Sequence, residues 1–160
     1  MTTEFASERI PRLHAAARRI RELTPRFGGH MTSPDPQTEE QWDRGQVLSH
    51  VAELLPYWVE QVEQVVAAGG GGVAFGRVKA TPSRLERIEG GRRLAPASAL
   101  DQMDDGVGLA VALLGRLGDE QLAMVGRHQS LGDMTMARAI DEFLIDHLES
   151  HADQMAEQLA

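Results

Sequence analysis

The sequence predicts an all-α fold: a four-helix bundle with a long connection between helices 2 and 3. Three observations lead there. Four stretches of about 20 residues repeat apolar side chains with helical period, and no stretch alternates apolar and polar residues long enough to argue for a sheet. The connections carry the glycines and prolines that interrupt helices. Amphipathic helices of this length bury their stripes best against one another.

The first stretch, residues 4–24, places Ile10, Leu13, Ala17, Ile20 and Leu23 on one face, and Thr24-Pro25 is expected to end it. Pro11 lies near its start, where a missing N–H is tolerated. Residues 25–42, with Gly28-Gly29, Pro34 and Pro36, read as irregular. The second stretch, 43–68, carries Val47, His50, Val51, Leu54, Trp58, Val62 and Val65 and runs into Gly69-Gly70-Gly71-Gly72. Pro56 lies inside it and is expected to kink it, because its nitrogen cannot donate to the carbonyl of Ala52. Residues 69–97 form the long excursion, with a short helix opened by Thr81-Pro82 and closed at Gly90-Gly91. A connection of that length can cross the end of the bundle, so simple up-down-up-down topology does not follow. The third helix, 98–116, shows Leu100, Met103, Val107, Val111, Leu114 and Leu117. The fourth, 135–158, shows Met136, Ile140, Phe143, Leu144, His147, His151 and Met155. With 160 residues and even composition, residues 1–160 are expected to form a single domain.

Composition excludes several function classes. The chain has no Cys, which removes disulfides, thiolate metal sites, iron–sulfur clusters and a Cys nucleophile. Sixteen Lys and Arg against 24 Asp and Glu give a formal net charge of -8, so neither nucleic acid nor an anionic membrane is an expected partner. The longest nearly apolar run, Val107 to Leu114, is far short of the roughly 20 residues that span a bilayer. The opening MTTEFASERIPRLH has no apolar signal core, and a cytoplasmic location is expected. There is no GxSxG elbow, Walker A loop, GxGxxG or HExxH.

The chemistry rests with histidines. His147 and His151 stand one helical turn apart, straddling the inward stripe of the fourth helix. His50 lies on the inward stripe of the second. Imidazoles from two facing helices can complete a three-nitrogen face with open coordination positions, which suits metal-assisted chemistry. The alternative is three buried histidines satisfied by backbone or carboxylate. His14 reads as solvated, and His30 lies in a loop. His128, in GRHQSLGDMT, can approach the site or cap the fourth helix, with a structural role favoured. Glu53, three residues after His50, can accept an imidazole N–H, although a solvated Glu is the expected reading. Asp146 reads as surface. Trp42, Tyr57 and Trp58 read as core and rim, with Trp58 able to wall a pocket. Arg77, Lys79, Arg84, Arg87, Arg92 and Arg93 form the one basic region, expected to pair with the acidic fourth helix of the same or another subunit. The other reading is an anionic ligand.

Two segments carry a family resemblance. WDRGQVLSHVAELLPYWVEQV (42–62) and GRHQSLGDMTMARAIDEFLIDHLESHADQM (126–155), about a third of the chain, resemble the DinB-like superfamily of bacterial four-helix bundles. The resemblance implies a metal-binding bundle, often a homodimer, with His50, His147 and His151 on the three ligand positions. The ion implied is divalent, zinc or nickel first. Relatives include mycothiol- or bacillithiol-dependent S-transferases and a mycothiol-dependent maleylpyruvate isomerase. The isomerase pattern carries Glu where this chain has His147, which argues against maleylpyruvate isomerisation here.

The expected function is therefore a metal-dependent enzyme acting on a small-molecule ligand. Mycothiol or bacillithiol is the favoured co-substrate, because the chain has no Cys and no other evident nucleophile system. A non-catalytic or stress-related metal-binding module and a metal-dependent hydrolase are the alternatives.

Overall fold

The computed structural model describes residues 2–160. Thr3 opens α1 (Glu4–Phe27) by accepting the Ala6 amide, satisfying one of the orphan N–H groups of a helix start. The helix does not stop at Thr24-Pro25. Proline there costs only the bond to the Arg21 carbonyl, whereas another turn drives Phe27 into the core at 0% exposure. A reciprocal Asp43–Gln46 capping box starts α2 (Arg44–Ala67), which continues through Pro56. Gly69 to Gly72 then turn the chain with φ between 67° and 77°, a region that favours glycine. They lead into β1 (Val73–Phe75).

The short helix of the excursion is α3 (Pro82–Gly91), with Pro82 in its first turn as the sequence predicts. It is followed by α4 (Pro96–Arg116) and by a short turn of helix, α5 (Asp119–Leu122). The strands β2 (Val125–His128) and β3 (Gly132–Thr135) form a hairpin. The last helix opens as α6 (Met136–Ile140), widens into a π-helical turn at Asp141–Ile145, and ends as α7 (Asp146–Glu157).

The fold is mostly helical, as the sequence predicts, with a small three-stranded sheet added. β1 pairs in parallel with β2, Val73 opposite Gly126 and Phe75 opposite His128, and β2 pairs antiparallel with β3. These strands are three or four residues long and contain Gly126 and Gly132, so they carry no alternating pattern for the sequence to display.

Packing also revises the expected route of the connections. α1 lies against α4 and α7, and α2 lies against α4 on one side and the last helix on the other, so α1 and α2 occupy a diagonal. The long 68–95 excursion therefore joins neighbours, α2 and α4. The 28–43 loop and the 117–135 hairpin segment make the diagonal crossings. At the α2–α4 contact, a Cβ on Gly106 would stand 2.8 Å from the Leu55 Cβ, so the missing side chain is what lets these helices close. One apolar core, including Leu13, Ile20, Leu54, Met103 and Leu144, fills the space between the helices. Among the described residues no helix is long and apolar enough to cross a membrane.

Candidate metal centre

The structure brings His50, His147 and His151 together between α2 and α7. Their ring centroids lie 5.2, 4.8 and 4.8 Å apart, and one ligand atom from each ring falls within 4.8 Å of the others. His50 Nε2 is 3.3 Å from His147 Nε2, close to the roughly 3.4 Å edge of a tetrahedral site with bonds near 2.1 Å.

The π-helical turn decides which face of the last helix reaches this point. Its closing i→i+5 bond, from the Asp146 amide to the Asp141 carbonyl, absorbs one extra residue. As a result Leu144, Ile145 and Leu148, all at 0% exposure, take the centre of the core, while Phe143 and His147 move to its partly exposed edge. A straight helix would continue the Met136–Ile140 stripe through Phe143 and His147 instead.

Each outer ring is oriented by a residue three positions on. His50 Nδ1 donates to Glu53 Oε1 at 2.8 Å, and His151 Nδ1 donates to Gln154 Oε1 at 3.0 Å. These bonds fix the protons on Nδ1 and leave Nε2 lone pairs pointing inward, the tautomer a metal ligand needs. The His151 Nε2 is buried and has no hydrogen-bond partner among the described residues, which suits a group that could ligate a cation. Burial first, then neighbouring positive charge, pushes His50 and His147 well below the usual histidine range; burial takes His151 to about 4. The rings are therefore neutral at physiological pH and fit a divalent cation.

Glu53 is not the solvated residue expected from sequence. Its Oε1 also accepts from Arg77 NH2 at 2.5 Å, and Arg77 in turn stacks on Tyr57, 3.9 Å from the ring centroid. Within the chain, the ion pairs of the basic excursion do not reach the fourth helix. Arg77 meets Glu53, Lys79 meets Asp35 at 2.6 Å, and Arg92 meets Asp43 at 2.8 Å and Glu89 at 3.3 Å. These bonds tie the excursion to α2 and to the 28–43 loop of the same chain.

His128 lies beside the site but is spoken for. Its Nε2 donates to the Arg77 carbonyl at 3.1 Å, and its Nδ1 accepts from the Ser130 amide at 3.2 Å. Gly76, at φ 85°, lets the backbone pass under this ring; a Cβ there would stand 2.7 Å from the His128 Cδ2. His14 and His30 are exposed, and Asp146 is exposed as expected.

Two clefts meet at His147. One, of about 350 Å³, is lined by Trp42, Lys79, Arg84, His147, His151 and Gln154. The other, of about 310 Å³, is walled by Trp58, Phe143 and His128 and reaches His50, Arg84 and His147. Trp58 and Phe143 stack at 4.0 Å with ring planes 8° apart, so Trp58 does wall a pocket. Trp42 lies edge-on to His50 at 5.1 Å and stacks on His151 at 6.2 Å. It is held there by Thr32, whose hydroxyl accepts the Trp42 amide at 2.8 Å.

The sequence does not mark Gln154 for the site, and it marks Phe143 only as a stripe residue and residues 25–42 only as irregular. The shared His-x-x-Glu and His-x-x-Gln spacing was a usable signal for the first. The π-helical turn and the loop contacts leave no pattern in the sequence.

The structure of YfiT from Bacillus subtilis, described as "a probable metal-dependent hydrolase with an unusual four-helix bundle topology", superposes with a TM-score of 0.76 at 16% identity, over 99% of this chain and 87% of that one. The likeness shows a shared four-helix-bundle fold. The mycothiol-dependent maleylpyruvate isomerase superposes with a TM-score of 0.70 at 16% identity, covering 97% of this chain. This chain spans 63% of the isomerase's length. No protein-family model and no curated protein matches the sequence.

Proposed function

We propose that the protein is a metal-dependent enzyme acting on small molecules, with a low-molecular-weight thiol such as mycothiol or bacillithiol as co-substrate, in the manner of thiol S-transferases. The observation that carries this reading is the convergence of three neutral imidazoles, one with a buried and unpartnered Nε2, where two clefts meet. His50, His147 and His151 would hold the ion, zinc or nickel first, since imidazole nitrogen suits both. When bound, a divalent cation supplies a Lewis acid that makes a thiol or water nucleophilic near neutral pH.

The chain's own residues do the rest. Glu53 and Gln154 hold the outer rings in the ligating tautomer. Trp42 covers one side of the triad, and the Trp58–Phe143 stack offers an apolar surface that excludes water from the other. Two clefts sharing His147 accommodate two co-substrates, which favours transfer between molecules.

The deciding experiment is elemental analysis of the purified protein followed by a panel of thiols and electrophiles. About one ion per chain and thiol-dependent consumption of an electrophile support the reading. Absence of bound metal, with no uptake of zinc or nickel, overturns it. A metal-dependent hydrolase is the second reading, favoured by the likeness to the Bacillus subtilis structure over nearly the whole of both chains. Turnover that proceeds equally without thiol selects it. Stabilisation by metal without any turnover selects a non-catalytic module.

A further inference from the structure

Among the described residues Arg84 is a buried cation that forms no ion pair. Its residue is 8% exposed, and its NH1 donates to the Lys79 carbonyl at 2.9 Å. Its guanidinium lies 5.4 Å above the Trp42 ring. Its charged neighbours are otherwise engaged: Arg77 with Glu53, and Lys79 with Asp35. Glu40 lines the same cleft without forming an ion pair to it. Arg84 borders both clefts and shares them with His147.

Around the triad the three rings are neutral and the Arg77–Glu53 and Lys79–Asp35 pairs cancel, which leaves Arg84 and Glu40 as cleft charges that do not pair with each other. Burying an uncompensated guanidinium is costly unless its remaining N–H groups are used in the working state. A planar fork of donors matches a carboxylate. Glu40, which lines the cleft that Arg84 shares with Trp42, would repel a dianionic phosphate more strongly than a monoanionic carboxylate. The stacked Trp58–Phe143 wall faces the same space and offers an apolar surface to the rest of the molecule.

We propose that Arg84 anchors the carboxylate of a small organic acid, whose apolar part lies against Trp58 and Phe143 beside the histidine triad. This names the substrate class for the proposed metal-dependent reaction and so rests on that reading, but the anchoring itself is testable without metal. The chain's two tryptophans, Trp42 and Trp58, each line one of the clefts, so their fluorescence reports occupancy directly.

The experiment titrates zinc-loaded and metal-free protein with benzoate, phenylacetate, benzyl alcohol and phenyl phosphate while following that fluorescence. Zinc content is measured on the same samples. The aromatic acids are expected to saturate the signal and the alcohol is not. Arg84→Gln should weaken acid binding about 10- to 100-fold in both forms, Arg84→Lys should restore part of it, and zinc content should stay unchanged. Binding within about twofold of wild type in Arg84→Gln overturns the proposal, as do equal binding of the alcohol, tighter binding of phenyl phosphate, or no saturation by either acid below about 10 mM. If Arg84→Gln fails to fold by circular dichroism, the Arg84→Lys variant and the acid–alcohol comparison on wild type decide. Loss of zinc uptake by wild type would count against the metal reading alone, because the metal-free titration still tests Arg84.

Discussion

Glu53 Oε1 accepts the Nδ1 proton of His50 at 2.8 Å and an Arg77 N–H at 2.5 Å, so one carboxylate oxygen joins the triad to the basic excursion. The other oxygen, Oε2, is buried and has no partner among the described residues. The acid therefore sets the tautomer of a candidate ligand and neutralises a buried guanidinium at once.

Glu53→Gln keeps an acceptor of similar shape but removes the charge that holds Arg77. Zinc affinity is expected to fall about 10- to 100-fold, as for other residues that orient a ligating imidazole. Competition against a chromophoric chelator measures it. An unchanged affinity would show that the His50 orientation does not depend on Glu53.

His147 and His128 are near one another but should respond differently. His147→Ala should lower zinc affinity by far more than 10-fold, because it removes a candidate ligand. His128→Ala should keep zinc near wild-type occupancy while lowering the melting temperature, since it breaks the bonds to the Arg77 carbonyl and the Ser130 amide. Elemental analysis and thermal melts of the two variants, side by side, check the distinction.

Acid should unfold the metal-free protein in a defined window. His151 titrates at about 4 in the folded chain, held down by burial, and near 6.5 when unfolded. Between these values the unfolded chain binds more protons, so this stabilisation is complete above about pH 6.5 and is lost as pH falls toward 4. The loss from His151 is about 3 kcal/mol, and His50 and His147, held low by the same burial, act in the same direction. The urea midpoint of metal-free protein should drop steeply from pH 7 to about 4.5 and less steeply in His151→Gln. Asp35, held at about 2 by Lys79, contributes only below that range.

Phe27 tests why α1 overruns its proline. Phe27→Ala should destabilise the protein by about 3 to 5 kcal/mol through loss of a fully buried ring. Urea denaturation reads this directly. A cost near zero would remove the explanation given for the helix end.

Gly76→Ala should be destabilising by about 1 to 3 kcal/mol, because it forces a Cβ into a positive-φ position and against His128. The same change should perturb the Trp58 fluorescence, since Trp58 Cη2 stands 3.1 Å from that Cβ position.

Much of the fold is legible in the chain order. The stripe from Val47 to Val65 marks α2, and Leu100 to Leu114 marks α4, because a long helix buried along one side repeats its apolar residues every three to four positions. The Gly69–Gly72 run marks the end of α2, and Thr81-Pro82 marks the start of α3, through backbone geometry that is local to those residues. Val73–Phe75 and the 125–135 hairpin leave no such mark, since three or four residues around glycines are too short to repeat anything. For the site, helical position places His50 and His151 on inward faces, whereas the π-helical turn sets His147 on a partly exposed edge. Glu53 is visible only as a spacing, and its capture by Arg77 is not.

The amino-acid order alone settled the helical segments, the three candidate imidazoles and the lack of any thiol, because periodicity and residue chemistry are properties of near neighbours. Three-dimensional packing settled the rest. It put α1 and α2 on a diagonal, widened one turn so that His147 faces a cleft, matched each cation of the 77–93 excursion with an acid or left it without one, and closed a small sheet from distant strands. Each of these depends on residues far apart in the chain meeting at ångström range, and no local pattern encodes such a meeting.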